Sequence, residues 1–331
     1  KQGKKLTTFS FDFIDNDKYF KANSFQPSQD RPYVDKMVSF LDSDHHYLEC
    51  DNKMQADLLY RSVDAHDLPC MADIDSSLQY FCEEVSHSHK VVLTGECADE
   101  VFGGYPWFHR EEMLNSGTFP WTPSLTPRKV LLKDDLVKSL HMDEYVKKIY
   151  DRSVSEINVL PSENEIETNR RRIGYLNIRF FMQTLLNRMD RTSMFSGLEA
   201  RVPFADRKLV DYVFNIPWEM KAKDGLVKNI LRQASKGLLP DEILFRRKSP
   251  YPKTYNPYYE NLLAKRLKEV LADSASPLHS LLDLKQVTQF LENPKDYGAP
   301  WYGQLMAGPQ MIAYLLQIEY FLRKYNVSIR I

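Results

Sequence analysis

The chain predicts an α/β fold, a parallel sheet flanked by helices that passes into a mainly helical C-terminal part. Three observations carry that expectation. Short β-rich or apolar runs alternate with helical spacings across residues 1–105. Pro106, Pro120, Pro123 and Pro127 then interrupt any long element. From about Glu165 the spacing is helical only.

Taken in order, residues 6–13 (LTTFSFDF) are β-rich, and Asp15, Asn16 and Asp17 follow as turn formers. Residues 46–49 predict a second strand and residues 51–62 a helix. Residues 73–85 carry Ile74, Leu78 and Phe81 at helical spacing. Residues 90–94 (KVVLT) form an apolar run ending at Gly95, the pattern of a buried parallel strand. Residues 106–160 are expected to be loop without a long element. Residues 169–195 place Leu176, Phe180, Thr184 and Arg188 on one helix face, with Phe181, Leu185 and Met189 beside them. Residues 226–236 predict a helix closed by Gly237, with Pro240 beyond it. Residues 309–324 predict another, opened by Pro309, with Ile312, Leu315, Leu316 and Leu322 as its apolar stripe. The expected division is residues 1–105, a linker and loop region over 106–163, and a helical part over 164–331.

Composition excludes several classes. Hydrophobic residues make up 43% and charged residues 27%, as in ordinary globular chains. A net charge of −1 gives no electrostatic footprint for nucleic acid or an anionic membrane. No apolar run approaches the ~20 residues of a membrane-spanning helix, and KQGKKLTTFSF lacks a signal-peptide layout. Cys50, Cys70, Cys82 and Cys97 form no CxxC pair and are expected to be reduced, in a cytoplasmic protein. His45-His46 and His87-Ser88-His89 lack partners at metal-ligand spacing and are expected to be plain polar side chains.

Residues 91–105, VVLTGECADEVFGGY, concentrate the chemistry. An apolar strand ends in Thr94-Gly95, and Glu96, Asp99 and Glu100 crowd the turn beyond it. Ligands of such sheets bind outside the carboxyl ends of strands, so these acids are placed to face a nucleotide crevice. Gly95 allows close backbone approach. Capping of a helix N-terminus accounts for the acids but not for Gly103-Gly104-Tyr105 close behind.

TGECADEVFGGY resembles the SGEGSDE-x-FGGY motif of glutamine-dependent asparagine synthetases, of the PP-loop ATP pyrophosphatase group. DRTSMFSGLEARVPFADRKLVDYV (190–213) and KNILRQASKGLLPDEILFRRK (228–248) resemble two further blocks of that family, in the same order. The resemblance implies an adenine nucleotide α-hydrolase-like fold and ATP with Mg²⁺ as cofactors. It implies adenylation of the aspartate side chain, then amidation by ammonia that an upstream glutaminase domain draws from glutamine. On this resemblance Phe11, Thr94 and Gly95 hold adenosine, and Asp99 binds Mg²⁺. Glu96 serves the acyl-adenylate as acid or base, Lys228 contacts reacting phosphates, and Tyr105 supports the site. Arg188 tends inward and needs an anion: a phosphate, a substrate carboxylate or a buried acid. Phe11 and Tyr105 read equally as core aromatics, and Lys228 as a helix lysine. Glu199, Arg201 and Asp206 are expected to form an ion network under the site. A homodimer is compatible with the resemblance.

Two features depart from the family. Cys97-Ala98 stand where Gly-Ser is usual, which puts a thiol at a helix N-terminus, where pKa values can fall. No S-G-G-x-D-S pyrophosphate loop occurs, and KQGKK resembles the tail of the helix that follows that loop. The expectation is a chain whose first strand and phosphate loop lie upstream, inactive alone. Two alternatives keep part of this reading: a β-lactam-forming or peptide-cyclising relative acting on another carboxylate, and a non-catalytic scaffold domain.

Overall fold

A computed structural model of the chain describes residues 4–22, 26–294, 300–303 and 306–330. The expected helix tail in KQGKK therefore lies largely outside the described residues.

Strand β1 (Thr7–Phe13) is followed by helix α1 (Arg31–Leu41) and strand β2 (Asp44–Cys50). The two strands pair in parallel, from Thr7 opposite Asp44 to Phe13 opposite Cys50. Helix α2 (Asn52–His66) starts where the Asp51 carboxylate accepts the Met54 N–H at 2.8 Å, closing one free donor of the first turn. Helix α3 (Ala72–Ser86) leads to strand β3 (Val91–Leu93), and α4 (Ala98–Phe102) begins four residues after Thr94. Apart from α1, which was not anticipated from the sequence, these elements were legible there.

Residues 106–163 correct the loop expectation. Helix α5 (Met142–Ser155) runs for 14 residues, with Val146, Ile149, Tyr150 and Val154 packed against an aromatic cluster. The prolines misled because Pro106 and Pro127 stand in first turns, at Pro106–Phe108 and Thr126–Lys129, where a missing N–H costs nothing. This region buries Trp107, Phe108, Phe119 and Trp121 against Phe181.

Helix α6 (Glu165–Leu176) opens on a capping box: the Asn164 side chain accepts the Glu167 N–H at 3.0 Å, and Glu167 accepts the Asn164 N–H at 2.9 Å. It continues through a π-helical segment (Asn177–Met182) into α7 (Gln183–Phe195). Strand β4 (Glu199–Arg201) pairs in parallel with β3. No sequence signal announced it, since three residues alternating Glu-Ala-Arg carry too little pattern. Glu199 and Arg201 are exposed and paired with each other at 2.8 Å, while Asp206 caps Arg207–Phe214. The expected ion network under the site is thus replaced by a surface pair and a helix cap.

The helix expected over 226–236 is shorter. Helix α8 is Asn229–Ala234, because Asp224, Gly225 and Lys228 all take left-handed backbone angles that form turns. Helices α9 (Pro257–Ala272) and α10 (Gly308–Lys324) close the main core. Leu263 and Leu267 of α9 meet Ile312, Leu315 and Leu316 of α10 and Ala56 and Leu59 of α2. Full burial of side chains of this kind contributes about 1.5–3 kcal/mol each. This core also takes in Ala72 and Ile74 of α3.

The described strands form two separate two-stranded sheets, β1–β2 and β3–β4. A slot of about 660 Å³ lies between the free edges of β1 and β3, lined by Leu6, Thr8, Phe9, Val92, Thr94, Met189 and Leu198 among others. Consequently β3 is not the buried strand its apolar run predicted: Val91 is 43% and Leu93 74% exposed.

Candidate active site

Beyond β3 the chain turns sharply. The Thr94 N–H donates to the Arg201 carbonyl at 2.9 Å, the last rung of the β3–β4 ladder. Cys97 takes a left-handed φ of 69° before α4 begins. This is a conformation that glycine adopts without strain and other residues enter at a cost of about 1–2 kcal/mol. The thiol is buried, which together with Glu100 and Glu96 pushes it up to about 12. It is therefore a packed thiol and not the activated one its helix N-terminal place allowed.

Asp99 lies in the first turn of α4 with two lysines on its carboxylate. Lys228 Nζ is 2.8 Å from Oδ1 and Lys248 Nζ 2.7 Å from Oδ2. Burial pushes the Asp99 carboxyl up, but the Lys248 and Lys228 ammonium groups outweigh it and hold it below the usual carboxylate range. Lys228 is the left-handed residue capping α8, and Lys248 lies in an extended segment beyond Leu244. Arg232 ties these two pieces together by donating to the carbonyls of Val227 (2.9 Å) and Arg246 (3.1 Å) and to that of Leu244.

The glycine pair makes room for this cluster. A Cβ on Gly104 would lie 1.9 Å from Asp99 Oδ1, and one on Gly103 (φ 72°) would lie 2.6 Å from the Trp218 ring. Tyr105 follows as a wall residue. Its hydroxyl donates to Glu100 Oε1 at 2.5 Å, its ring stacks on Trp107, and Lys248 Nζ stands 4.8 Å over its face. Burial pushes the Glu100 carboxyl up to about 7, and burial with Glu100 pushes the Tyr105 phenol far up.

Glu96 is held from the opposite side. The buried Arg188 of α7 donates to Glu96 Oε1 at 2.5 Å, and its Nε lies 3.9 Å from Asp75 Oδ1. Of the anions expected for Arg188, the protein itself supplies two. Burial works against the guanidinium charge, yet Glu96 and Asp75 together raise its pKa. Glu96 Oε2 is buried with no hydrogen-bond partner among the described residues. A carboxylate oxygen so placed is available to a substrate donor or a proton.

Thr94, Gly95, Glu96, Asp99, Tyr105, Arg188 and Lys248 line one cavity of about 400 Å³. Phe11 lies in an adjoining cavity of about 410 Å³ with Thr94, Glu96 and Tyr251, stacked on Tyr251 at 6.1 Å and 17°. A Cβ on Gly95 would meet nothing within 4 Å, so the space above it is open to a ligand. All eight residues singled out in the sequence thus fall in or beside one crevice. Lys248, Asp75, Arg232 and Tyr251 were not singled out. Arg232 and Lys248 lie in the third motif block and were within reach of a reading by motif; Asp75 and Tyr251 carried no local signal.

A family profile described as asparagine synthase matches residues 1–323. The chain belongs to the asparagine synthase family. Over 331 residues the chain is 48% identical to asparagine synthetase [glutamine-hydrolyzing] 3 of Bacillus subtilis (strain 168), covering 99% of the chain and 54% of that relative. It is 28% identical over 257 residues to asparagine synthetase [glutamine-hydrolyzing] 1 of the same organism, covering 67% of the chain and 40% of that relative. Rattus norvegicus asparagine synthetase [glutamine-hydrolyzing] matches at 45% over 67 residues, 19% of the chain and 12% of the relative. The chain thus spans about half the length of the first of these relatives, and less of the others. No described helix is long and apolar enough to cross a membrane.

Proposed function

We propose that the chain is the ATP-dependent amidating part of an enzyme that converts aspartate to asparagine in the cytoplasm. The observation that carries this reading is the Lys228–Asp99–Lys248 cluster beside the Arg188-held Glu96, at the carboxyl end of β3. Two ammonium groups around one carboxylate leave a local excess of positive charge, suited to phosphate oxygens. The adenosine sits over Thr94 and Gly95 toward Phe11, and the triphosphate reaches Lys228 and Lys248. The aspartate side-chain oxygen attacks the α-phosphorus, and the bond to pyrophosphate breaks. Both lysines stabilise the charge that gathers on the departing pyrophosphate. Ammonia then attacks the acyl carbon, AMP leaves, and Glu96 Oε2 takes the proton that the nitrogen loses. Arg188 holds Glu96 in place and aims it.

Mg²⁺ requires hard oxygen donors, and the Asp99 carboxylate on the cavity wall would hold it by exchanging Lys228 or Lys248 for the ion. Bound there, the ion would neutralise phosphate charge. Glutamine-derived ammonia from a glutaminase domain elsewhere in the longer protein, and assembly as a homodimer, belong to the same proposal. So does the division into a nucleotide-binding part over 1–105, a linking region and a helical part over 164–331. The exposed β3 edge and the slot facing β1 support a further parallel strand between the two sheets, carrying the phosphate loop that the sequence lacks.

The test is an assay of the longer protein with ATP, aspartate and ammonium. Asparagine and AMP formed in equal amounts support the reading. AMP formed only with a different carboxylic acid would sink it.

A further inference from the structure

The loop from α2 to α3 holds a cluster that the amide chemistry does not use. His66 ends α2, Asp75 lies in the first turn of α3, and Cys70 stands between them. One nitrogen, one sulfur and one carboxylate oxygen from these three side chains lie within 4.8 Å of one another. His66 Nδ1 is 2.8 Å from the Ser62 carbonyl, a pure acceptor, so Nδ1 carries the hydrogen. Nε2 then faces Asp75 Oδ2, 3.9 Å away, an oxygen that also accepts the Met71 N–H at 2.6 Å. Nε2 and Asp75 Oδ1 are buried with no hydrogen-bond partner among the described residues, on side chains 10% and 1% exposed. A ring nitrogen and a carboxylate oxygen, both buried without a partner and close to a thiol, are groups that one cation can join.

Contacts from neighbouring elements hold Cys70 and His66 in place. Gln317 grips Cys70 twice, accepting its N–H on Oε1 and donating Nε2–H to Sγ, both at 3.2 Å. The histidine donates its other ring N–H to a backbone carbonyl, the usual way a ligating imidazole is fixed. Charge also balances. Arg188 lies near Asp75 but is neutralised by Glu96 at 2.5 Å, so a divalent ion with one thiolate, one carboxylate and one neutral imidazole adds no net charge. Tetrahedral coordination at ~2.0–2.3 Å sets donors roughly 3.3–3.7 Å apart, a small closure from the present spacing. The cluster borders a cavity of about 580 Å³ that supplies room for a water as fourth ligand.

We infer that His66, Cys70 and Asp75 form a zinc-binding site with one position open to this cavity. The mixed nitrogen, sulfur and oxygen set selects zinc over magnesium or calcium. Zinc there joins the end of α2 to the start of α3 and braces Asp75 behind Arg188.

The test uses the chain stripped with chelator and titrated with Co²⁺ alone. One equivalent binds, with the visible bands of four-coordinate cobalt and a sulfur-to-cobalt charge-transfer band, and Zn²⁺ displaces it. Cys70→Ser removes the charge-transfer band, and His66→Gln keeps the band while weakening binding by about tenfold or more. Absence of one-equivalent binding by the unaltered chain overturns the inference, whether or not the variants fold. So does a charge-transfer band that persists in Cys70→Ser. Neither readout depends on the amidation reaction.

Discussion

Replacing Glu100 by glutamine isolates one buried charge at the wall of the site. Glu100 is 3% exposed, and burial lifts its carboxyl from 4.5 to about 7. A carboxyl that binds its proton more tightly folded than unfolded favours the fold while protonated. That advantage is whole below pH 4.5 and is lost as pH rises through about 7. At ~1.36 kcal/mol per pH unit the loss totals about 3 kcal/mol, of which about 2.5 kcal/mol falls between pH 5 and pH 8. Asp99, held below 3.8, titrates outside that window. Glutamine keeps an oxygen to accept the Tyr105 hydroxyl and cannot ionise. Any fixed cost of the exchange is the same at both pH values and cancels. Urea unfolding of the chain and of Glu100→Gln at pH 5 and pH 8 measures the difference. The variant should gain about 2.5 kcal/mol relative to the parent on going from pH 5 to pH 8. A relative stability unchanged within ~0.5 kcal/mol would refute the claim that burial keeps this carboxyl protonated.

Asp99→Asn leaves Lys228 and Lys248 without their shared counter-charge, so asparagine synthesis by the longer protein should fall at least about 100-fold. Turnover within a factor of two of the parent, measured as AMP release, would remove Asp99 from the reaction. Gly104→Ala places a methyl against Asp99 Oδ1 and should cost about 1–3 kcal/mol of stability, read by denaturant unfolding, together with the loss of activity. The thiols of Cys50, Cys82 and Cys97, each pushed up to about 12 chiefly by burial, should not react with a disulfide reagent at pH 8 until the chain unfolds. Rapid labelling of Cys97 in the folded chain, located by peptide mass, contradicts that placement.

The helices read from spacing were the long ones whose apolar stripes meet the core, as in 309–324, where Ile312, Leu315 and Leu316 meet Leu263 and Leu267. Helix α5 escaped because its apolar face is narrow and because Pro106 and Pro127 looked like breakers when they were starters. The left-handed angle at Lys228, which shortens α8 and turns this lysine onto Asp99, has no local signature, since lysine rarely adopts it. The pairing of Arg188 with Glu96 joins residues 92 positions apart. Sequence spacing established only that Arg188 needed some anion.

By itself the sequence determined the α/β class, the turn that carries Glu96 and Asp99, and the kinship its three motif blocks express. Those are properties of short contiguous stretches, where residue type and spacing act directly on the backbone. Only the tertiary structure decided that Lys248 joins Lys228 on Asp99, that Arg188 meets Glu96, and that His66, Cys70 and Asp75 converge. Each of those depends on where separate elements come to rest, and packing of the shared core, not any local preference, sets that position.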